Sequence, residues 1–235
     1  MGINSKLKTE IKICSDCNQS YEHEIFTLYG KVYLETHSVC DSCSEAREAK
    51  DAQNRRERVA RREWERVVPI GYRKTDTAHP GFNKALWGQL SKWSPEMGGF
   101  GLVGVTGRSK TRCIALLTKR LIWRGYKVEW CLATKFQKAA QRQWDNEQGF
   151  KYRERVRRWQ NTEVLILDDL GKQKWTDSVE QEFYDLLEHR TSNELLTLWS
   201  ANTAPEEMIK AKQLTKDRGA PIVGRLLDYS EIILV

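Results

Sequence analysis

The chain has 235 residues, which is enough for one α/β domain and a small additional module. Apolar residues make up 40% of it, no stretch approaches the ~18 uninterrupted apolar residues of a membrane span, and the first residues lack the apolar core of a signal peptide. The net charge of +7 suits a protein that meets a polyanion, with a merely basic surface as the alternative. We therefore expect a cytoplasmic protein with no membrane partner.

Four of the six cysteines form two close pairs within residues 1–44. Two residues separate Cys14 from Cys17, and two separate Cys40 from Cys43. In a chain without a secretory signal, such pairs favour metal ligands over disulfides. Between the pairs, residues 24–34 alternate like a β-hairpin with its turn near Gly30. This pattern predicts a zinc ribbon, in which four thiolates hold one structural Zn²⁺ and the metal replaces a core too small to form otherwise.

A charged segment without glycine or proline, residues 45–68, follows the cysteine module. Its charges lie three or four positions apart, as on a solvated helix. We interpret it as a helical linker, with a nucleic-acid-binding helix as the alternative. Pro69 and Gly71 end the segment, and residues 70–82 have the composition of a loop.

Helical and strand patterns alternate from Phe82 to the end of the chain. A short amphipathic helix is predicted at residues 83–93. Apolar runs predict strands at residues 100–105, 127–132, 164–168, 196–201 and 231–235. Helical stretches between the strands are typical of a parallel sheet covered by helices, so the expected fold class is α/β, with this domain at residues 69–235.

A glycine-bearing loop, GVTGRSKT, follows the first of these strands and opens a helical segment at residues 112–124. It consists of Gly104, Val105, Thr106, Gly107, Arg108, Ser109, Lys110 and Thr111. In such a loop the backbone N–H groups and the helix N-terminus face the phosphates of a nucleotide, the lysine reaches β and γ oxygens, and the threonine hydroxyl takes Mg²⁺. The pattern GxxxxGK[ST] has glycine where Ser109 stands, and this position needs the backbone geometry that glycine usually supplies.

The run VLILDDL at residues 164–170 ends in two carboxylates, Asp168 and Asp169. A continuous aliphatic run suits a parallel strand buried on both faces, and its carboxyl end lies at the sheet edge where open α/β folds bind ligands. A strand followed by an Asp-rich turn is the alternative. With the phosphate-binding pattern upstream, the run favours a nucleotide-binding protein.

Two further segments complete an ordered series. The strand pattern LTLWSANT at residues 196–203 reaches Asn202, and PIVGRLL at residues 221–227 contains Arg225. Together with GVTGRSKT and LDDLG, this series resembles AAA+ ATPases, specifically the DnaC/IstB group of helicase loaders and transposition helpers, over residues 68–235. Phage and prophage members often carry an N-terminal zinc ribbon and a phrase similar to VPIGYRKTD at residues 68–76. The chain departs from the superfamily in stopping directly after the last predicted strand, so we expect a core without the small C-terminal helical lid of many AAA+ proteins.

The resemblance also implies roles for the acidic and phosphate-binding residues. Lys110 and the backbone of residues 104–111 would hold the phosphates, while Thr111 and Asp168 would bind Mg²⁺. Asp169 would polarise the attacking water, a role that Glu more usually fills in this superfamily.

The resemblance implies two more roles, both in catalysis at the γ-phosphate. Asn202 resembles the sensor that positions the attacking water, with capping of the next segment as the alternative. Arg225 resembles the arginine finger that reaches into a neighbouring subunit's site. Arg218, two helical turns earlier, competes for that role, and an ordinary surface position is the alternative for Arg225.

Basic and aromatic side chains are interleaved over residues 134–160, between the second and third predicted strands. This combination predicts contact with single-stranded DNA, because cations follow the backbone while aromatic faces stack on bases. In the alternative the aromatic residues are core and the basic ones a solvated face. The basic candidates are Lys135, Lys138, Arg142, Arg153 and Arg157, and the aromatic residues are Phe136, Trp144, Phe150, Tyr152 and Trp159.

The resemblance therefore implies an ATP-dependent DNA-replication accessory factor. It would be a helicase loader that binds single-stranded DNA and a replicative helicase, assembles with itself through ATP, and hydrolyses ATP slowly. A transposition helper that acts on a transposase is the alternative within the same fold. A non-hydrolysing, nucleotide-gated adaptor is the alternative of another class, favoured by Ser109 and the missing lid.

Overall fold

The computed structural model describes residues 5–28, 31–32, 38–210, 214 and 216–235. The chain divides into two compact units, residues 1–59 and residues 60–235. No helix in these described stretches is long and apolar enough to cross a membrane.

The first unit contains an antiparallel sheet of three strands in the order β1-β2-β3. These are β1 (Ser5–Ile13), β2 (Ser20–Leu28) and β3 (Lys31–Val32). The sequence pattern predicts only the β2–β3 hairpin, and its predicted turn at Gly30 lies outside the described residues. Strand β1 is not predicted by the sequence pattern. The Cys14–Cys17 pair lies in the connection between β1 and β2.

The second unit alternates strands and helices, as predicted. It begins with the end of α1 (Asp41–Val67), a helix whose earlier residues belong to the first unit. The elements that follow are α2 (Lys84–Leu90), β4 (Gly99–Val103), α3 (Lys110–Trp123), β5 (Val128–Leu132), α4 (Ala133–Arg142), α5 (Gly149–Asn161), β6 (Val164–Leu170), α6 (Asp177–Ser192), β7 (Leu196–Ala201), α7 (Pro205–Lys210), α8 (Lys216–Asp228) and β8 (Ser230–Leu234). The expected α/β class is confirmed.

The strands of the second unit form one parallel sheet in the order β5-β6-β7-β4-β8. Strand β4 lies between β7 and β8, and both pairings are parallel. The carboxyl ends of β4, β6 and β7 therefore meet at one edge of the sheet, where ligands bind in folds of this kind.

Helices cover both faces of the sheet because its strands are apolar on both sides. In β6, Leu165 and Leu167 belong to one hydrophobic cluster, whereas Val164 and Ile166 belong to the other. The first cluster contains buried residues of α4, α5, α6 and α8, and the second those of α2, α3 and the end of α1. This alternation is the two-residue period of a strand, and burial on both faces explains the continuous aliphatic run in the sequence.

One arginine is completely buried beside this sheet. The guanidinium of Arg190, in α6, donates hydrogen bonds to the carbonyl oxygens of Trp159, Thr162 and Leu196 and to the hydroxyl of Thr197. These acceptors lie at the end of α5, ahead of β6 and in β7. Arg190 therefore joins the end of α5 to the start of β7 by donating to backbone carbonyl groups in both places.

Candidate functional site

The phosphate loop (residues 104–111) connects β4 to α3, and its first residue is held in place by close packing. The N–H of Gly104 donates to the carbonyl of Ala201 at 3.2 Å, which ties the loop to the end of β7. A Cβ on Gly104 would overlap the carbonyl oxygen of Val235. Glycine is needed here because backbone passes directly against backbone.

Ser109, which stands where the motif has glycine, adopts the left-handed conformation with φ of 63° and ψ of 18°. The sequence-based expectation of glycine-like geometry at this position agrees with that backbone. The hydroxyl of Ser109 donates a hydrogen bond to the carbonyl oxygen of Gly81. The left-handed backbone costs a non-glycine residue about 1–2 kcal/mol. At Ser109 this cost is accompanied by a side-chain hydrogen bond.

Lys110 lies at the first position of α3, and its side chain is buried at the sheet edge. Its Nζ donates to the carbonyl oxygens of Gly104 at 2.5 Å and Val105 at 3.1 Å, and to Oδ1 of Asn202 at 3.2 Å. Burial lowers the pKa of Lys110, although the nearby Asp169 and Asp168 oppose that shift. A bound polyphosphate would stabilise the ammonium form against this burial.

Thr111 and Asp168 meet across the sheet edge. The Thr111 hydroxyl donates to Oδ1 of Asp168 at 3.1 Å, and the Ser200 hydroxyl donates to the same oxygen at 2.7 Å. Burial raises the pKa of Asp168, with the neighbouring Asp169 adding to the effect and the two hydroxyl hydrogen bonds opposing it. A hydroxyl and a carboxylate are oxygen ligands of the kind that Mg²⁺ takes beside phosphates, so these residues fit a magnesium ion.

Asp169 follows in an irregular part of β6. The register of β6 against β7 shifts between Leu167 and Leu170, and Asp169 has a φ of 62°. Its N–H donates to the Ser200 hydroxyl at 3.0 Å. This bulge lets the two adjacent carboxylates have different surroundings, since Asp168 is buried and Asp169 is only partly buried.

A cavity of about 390 Å³ lies over the phosphate loop. On one side it is lined by Asp169, Lys172 and Asn202, which lie at or just beyond the ends of β6 and β7. On another side it is lined by Tyr72, His79 and Gly81 from the segment before α2, and the rest of its wall comes from residues 106–112. Arg112 of α3 contacts the segment before α2, because its guanidinium lies 5.8 Å from the centre of the Tyr72 ring. A site with a cationic phosphate-binding wall, carboxylates and an aromatic rim is suited to a nucleotide.

The sequence interpretation misses several residues of this site. Ser200 could have been found from its position two residues before Asn202 in a strand that ends at the ligand edge. Tyr72 lies in the VPIGYRKTD phrase that carries part of the family resemblance, although its position in the cavity wall was not anticipated. Lys172 and Gly81 depend on turns that bring them back to the phosphate loop, and no periodic pattern indicates these.

The structure does not bring the two candidate finger arginines to the cavity of their own chain. Arg225, in α8, donates from Nε to Oε2 of Glu188 at 2.6 Å, and this ion pair raises the pKa of Arg225. The Arg218 guanidinium donates to the carbonyl of Asp177 at 2.9 Å. Both arginines are therefore bound to α6 and lie outside the cavity lining.

The interleaved aromatic residues of the α4–α5 segment (residues 133–161) divide into two groups. Phe136, Tyr152 and Trp159 are buried in the hydrophobic core, as the structural alternative supposed. Trp144 and Phe150 are 72% and 70% exposed, in and beside the connection between the two helices. Only these two aromatic side chains of the set are available to a partner.

The basic candidates in the same segment also differ among themselves. Lys135, Lys138 and Arg142 are exposed and recur at positions i, i+3 and i+7, so they share one face of α4. Arg153 donates to the carbonyl of Gln143 at 2.5 Å, and Arg157 lies 3.5 Å from Glu154. The α4 face thus carries three cations, whereas the two candidate arginines of α5, Arg153 and Arg157, have partners within the chain.

The four cysteine sulfurs of the first unit form a cluster. The Sγ atoms of Cys14, Cys17, Cys40 and Cys43 all lie within 4.8 Å of one another, with 3.8 Å between those of Cys17 and Cys40. Four thiolates at ~2.3 Å from a central Zn²⁺ would be separated by about 3.8 Å, so the cluster fits tetrahedral zinc. Burial opposes ionisation of Cys14, but backbone hydrogen bonds bring its pKa down to about 6.

Residues 69–233 match the family described as IstB-like ATP binding protein. No curated protein is significantly similar in sequence to the chain. Among solved structures, a DnaC helicase loader is 20% identical, with 71% of this chain and 99% of that chain covered and a TM-score of 0.55. DnaI is 24% identical, with 74% and 90% covered and a TM-score of 0.52.

A third similar structure is a replication initiator DnaA bound to AMPPCP and single-stranded DNA. It is 15% identical, with 65% of this chain and 44% of that chain covered and a TM-score of 0.50. The chain thus spans less than half of the DnaA structure that it matches. At these identities the solved structures show a common fold for the second unit. The family match confirms the predicted IstB-like ATP-binding domain.

Proposed function

Because this chain belongs to the family of IstB-like ATP-binding proteins, we propose that it is a replication accessory factor that binds Mg²⁺-ATP and loads a replicative helicase. The observation that carries the proposal is the convergence of Lys110, Thr111, Asp168 and Asn202 at one edge of the sheet. In this proposal the phosphate loop holds the phosphates, and Thr111 and Asp168 hold Mg²⁺. When bound, that ion would neutralise phosphate charge.

Calorimetric titration with Mg²⁺-ATP tests the nucleotide site. Lys110→Ala should abolish measurable binding, because it removes the ammonium group from the β- and γ-phosphates. Lys119→Ala is the matched control, since Lys119 is an exposed lysine on the same helix and is not in the cavity wall. Unchanged ATP affinity in Lys110→Ala would refute the site.

ATP hydrolysis in this proposal depends on Asp169 and Asn202. Asp169 would accept a hydrogen bond from the attacking water, and Asn202 would orient that water against the γ-phosphate. The second candidate is an adaptor that binds ATP without hydrolysing it, and the side chain that Ser109 adds where the motif has glycine favours it. Phosphate release measured with and without single-stranded DNA separates the two, because the adaptor would release none in either condition.

We also propose that the exposed face of the α4–α5 segment binds single-stranded DNA. Trp144 and Phe150 offer ring faces for stacking, and Lys135, Lys138 and Arg142 offer cations for the backbone. The DnaA structure with a similar fold was solved with single-stranded DNA, which makes this ligand the natural one to test.

Fluorescence anisotropy with a labelled oligonucleotide tests the DNA surface. Replacing both Trp144 and Phe150 by alanine should weaken binding at least tenfold, because each stacked base contributes about 1–3 kcal/mol. Trp123→Ala serves as the control, since Trp123 is also exposed but lies at the end of α3, outside the segment. Equal binding by the double variant and the control would refute the surface.

The protein partner and the assembly complete the proposal. A replicative helicase is the proposed partner, by analogy with the DnaC loader of similar fold, and a transposase is the alternative that the IstB family favours. Size-exclusion chromatography of the chain with each purified partner, with and without ATP, would discriminate between them. The same experiment without a partner tests whether ATP promotes self-assembly, and comparison with Arg225→Ala tests whether Arg225 contributes to it.

A further inference from the structure

The turn after β6 brings a second lysine to the phosphate loop. The N–H of Lys172 donates to the carbonyl oxygen of Asp169 at 3.2 Å, while Asp169 and Gly171 have φ angles of 62° and 91°. The N–H of Gly171 donates at 2.9 Å to Oε1 of Gln173, a side chain that is itself buried. This tight, internally bonded turn directs Lys172 into the cavity wall beside Asp169 and Asn202.

Lys172 and Lys110 have different surroundings within the cavity. Lys110 is buried and donates to two carbonyl oxygens and to Asn202. Lys172 is exposed at the cavity surface and lines the same cavity as Lys110. Two ammonium groups in the wall of one cavity favour an anion bound between them.

Two different parts of the chain line the cavity, and Lys172 belongs to the part at the strand ends. Tyr72 and Gly81 come from the segment before α2, where Tyr72 contacts Arg112 of α3 and Gly81 accepts a hydrogen bond from Ser109. Asp169, Lys172 and Asn202 lie at or just beyond the strand ends beside Lys110, which reaches the β- and γ-phosphates in loops of this kind. A nucleotide with its base toward Tyr72 would therefore extend its γ-phosphate toward Lys172.

We propose that Lys172 binds the γ-phosphate of ATP from within the same chain and makes the cavity prefer a nucleoside triphosphate over a diphosphate. This inference rests on the proposed ATP binding. It differs from the trans-acting arginine in that the cation needs no neighbouring subunit, so the monomer itself discriminates ATP from ADP.

Calorimetric titration with Mg²⁺-AMPPCP and with Mg²⁺-ADP tests the inference, because AMPPCP keeps a γ-phosphate and does not turn over. Lys172→Ala should weaken AMPPCP binding about tenfold and ADP binding less than twofold, since one charge-assisted hydrogen bond to the γ-phosphate is lost. Lys172→Arg should retain most of the AMPPCP affinity. Lys174→Ala is the charge-matched control, an exposed lysine two residues along that lies outside the cavity wall, and it should change neither affinity.

The possible failures are distinguishable. If the wild-type chain binds AMPPCP and Lys172→Ala weakens both nucleotides equally, or neither, the role of Lys172 is refuted while the proposed function stands. If Lys174→Ala reproduces the loss seen in Lys172→Ala, only the general positive charge of the turn matters and the inference again fails. If the wild-type chain binds neither nucleotide, the proposed function fails and this inference fails with it.

Discussion

The hydroxyl of Ser109 donates a hydrogen bond to the carbonyl of Gly81, and this bond ties the phosphate loop to the segment before α2. Glycine at this position would relieve the left-handed backbone but would lose the bond. Serine therefore strains the backbone but adds a hydrogen bond between two walls of the cavity.

Substitutions at Ser109 should separate these two effects. Ser109→Ala keeps the strained backbone and loses the hydrogen bond, so we expect the free energy of unfolding to fall by about 1 kcal/mol. Ser109→Gly also loses the bond but relieves about 1 kcal/mol of strain, so it should be nearly neutral. Urea denaturation of the three proteins measures the difference, and an alanine variant as stable as the glycine variant would contradict this account.

Asp168→Asn should stabilise the nucleotide-free chain while removing Mg²⁺-dependent ATP binding. Because burial raises the pKa of Asp168 in the folded state, the folded chain holds more protons than the unfolded chain between the two pKa values. Stability therefore falls as the pH rises through that range, and the ionised carboxylate destabilises the fold at neutral pH. The neutral amide avoids this cost.

Thermal unfolding at neutral pH without nucleotide should accordingly show a higher Tm for Asp168→Asn than for the wild type. The gain should shrink as the pH is lowered toward the unfolded-state pKa of aspartate, because the wild-type carboxyl is then protonated too. A lower Tm for the variant at neutral pH would show that the hydroxyl hydrogen bonds from Thr111 and Ser200 outweigh burial.

Zinc should be present at one ion per chain and should hold the cysteine module together. Elemental analysis should find no zinc in the Cys14→Ser, Cys40→Ser double variant, since only two thiolates remain. Cys113→Ala is the control, because Cys113 is buried in the second unit and should leave the zinc content unchanged. Zinc retained by the double variant would rule out the cluster as its ligand set.

Arg190→Met should destabilise the second unit by about 3 kcal/mol, because it leaves several buried carbonyl groups without a donor. Arg157→Met is the matched control: that arginine is exposed and pairs only with Glu154, so its loss should cost less than about 0.5 kcal/mol. The midpoint of urea unfolding distinguishes them. Equal midpoints would mean that water reaches the carbonyls that Arg190 covers.

Arg225 should act in a neighbouring subunit only after leaving Glu188. Mixing Arg225→Ala with Lys110→Ala should restore part of the ATPase activity, because interfaces that join the pocket of the first variant to the finger of the second are intact. Glu188→Gln should raise the activity of the wild-type background, since it weakens the ion pair that holds Arg225 within its own chain. Full activity of Arg225→Ala alone would make Arg218 or a partner protein the next candidate.

The sequence predicts most accurately the strands that are buried on both faces, because a continuous apolar run marks them. Strand β7 begins and ends where the apolar pattern places it, and β6 differs only at its end, where the bulge at Asp169 extends the pairing to Leu170. The phosphate loop and the aspartates are found because each directly follows an apolar run that predicts a strand.

The rest of the site depends on tertiary structure. Which aromatic residues of the α4–α5 segment are core is readable in retrospect, because Tyr152, Val156 and Trp159 recur at helical spacing on one face of α5. The position of Lys172 is not readable in that way, since it follows from left-handed residues and a buried Gln173 side chain in the turn. Likewise, the partner of Arg225 is set by how α8 packs on α6.

The strand order determines where a change in sequence would disturb the sheet and where it would not. Strand β4 is paired on both sides, so a change in the phosphate loop that shifts it must disturb β7 and β8 together. Strand β5 is at the sheet edge, and the α4–α5 segment leaves the sheet directly after it. Substitutions at the exposed positions of that segment and length changes in its connection leave the pairing of β4 unbroken. Its surface can therefore change without altering the strand that leads into the phosphate loop.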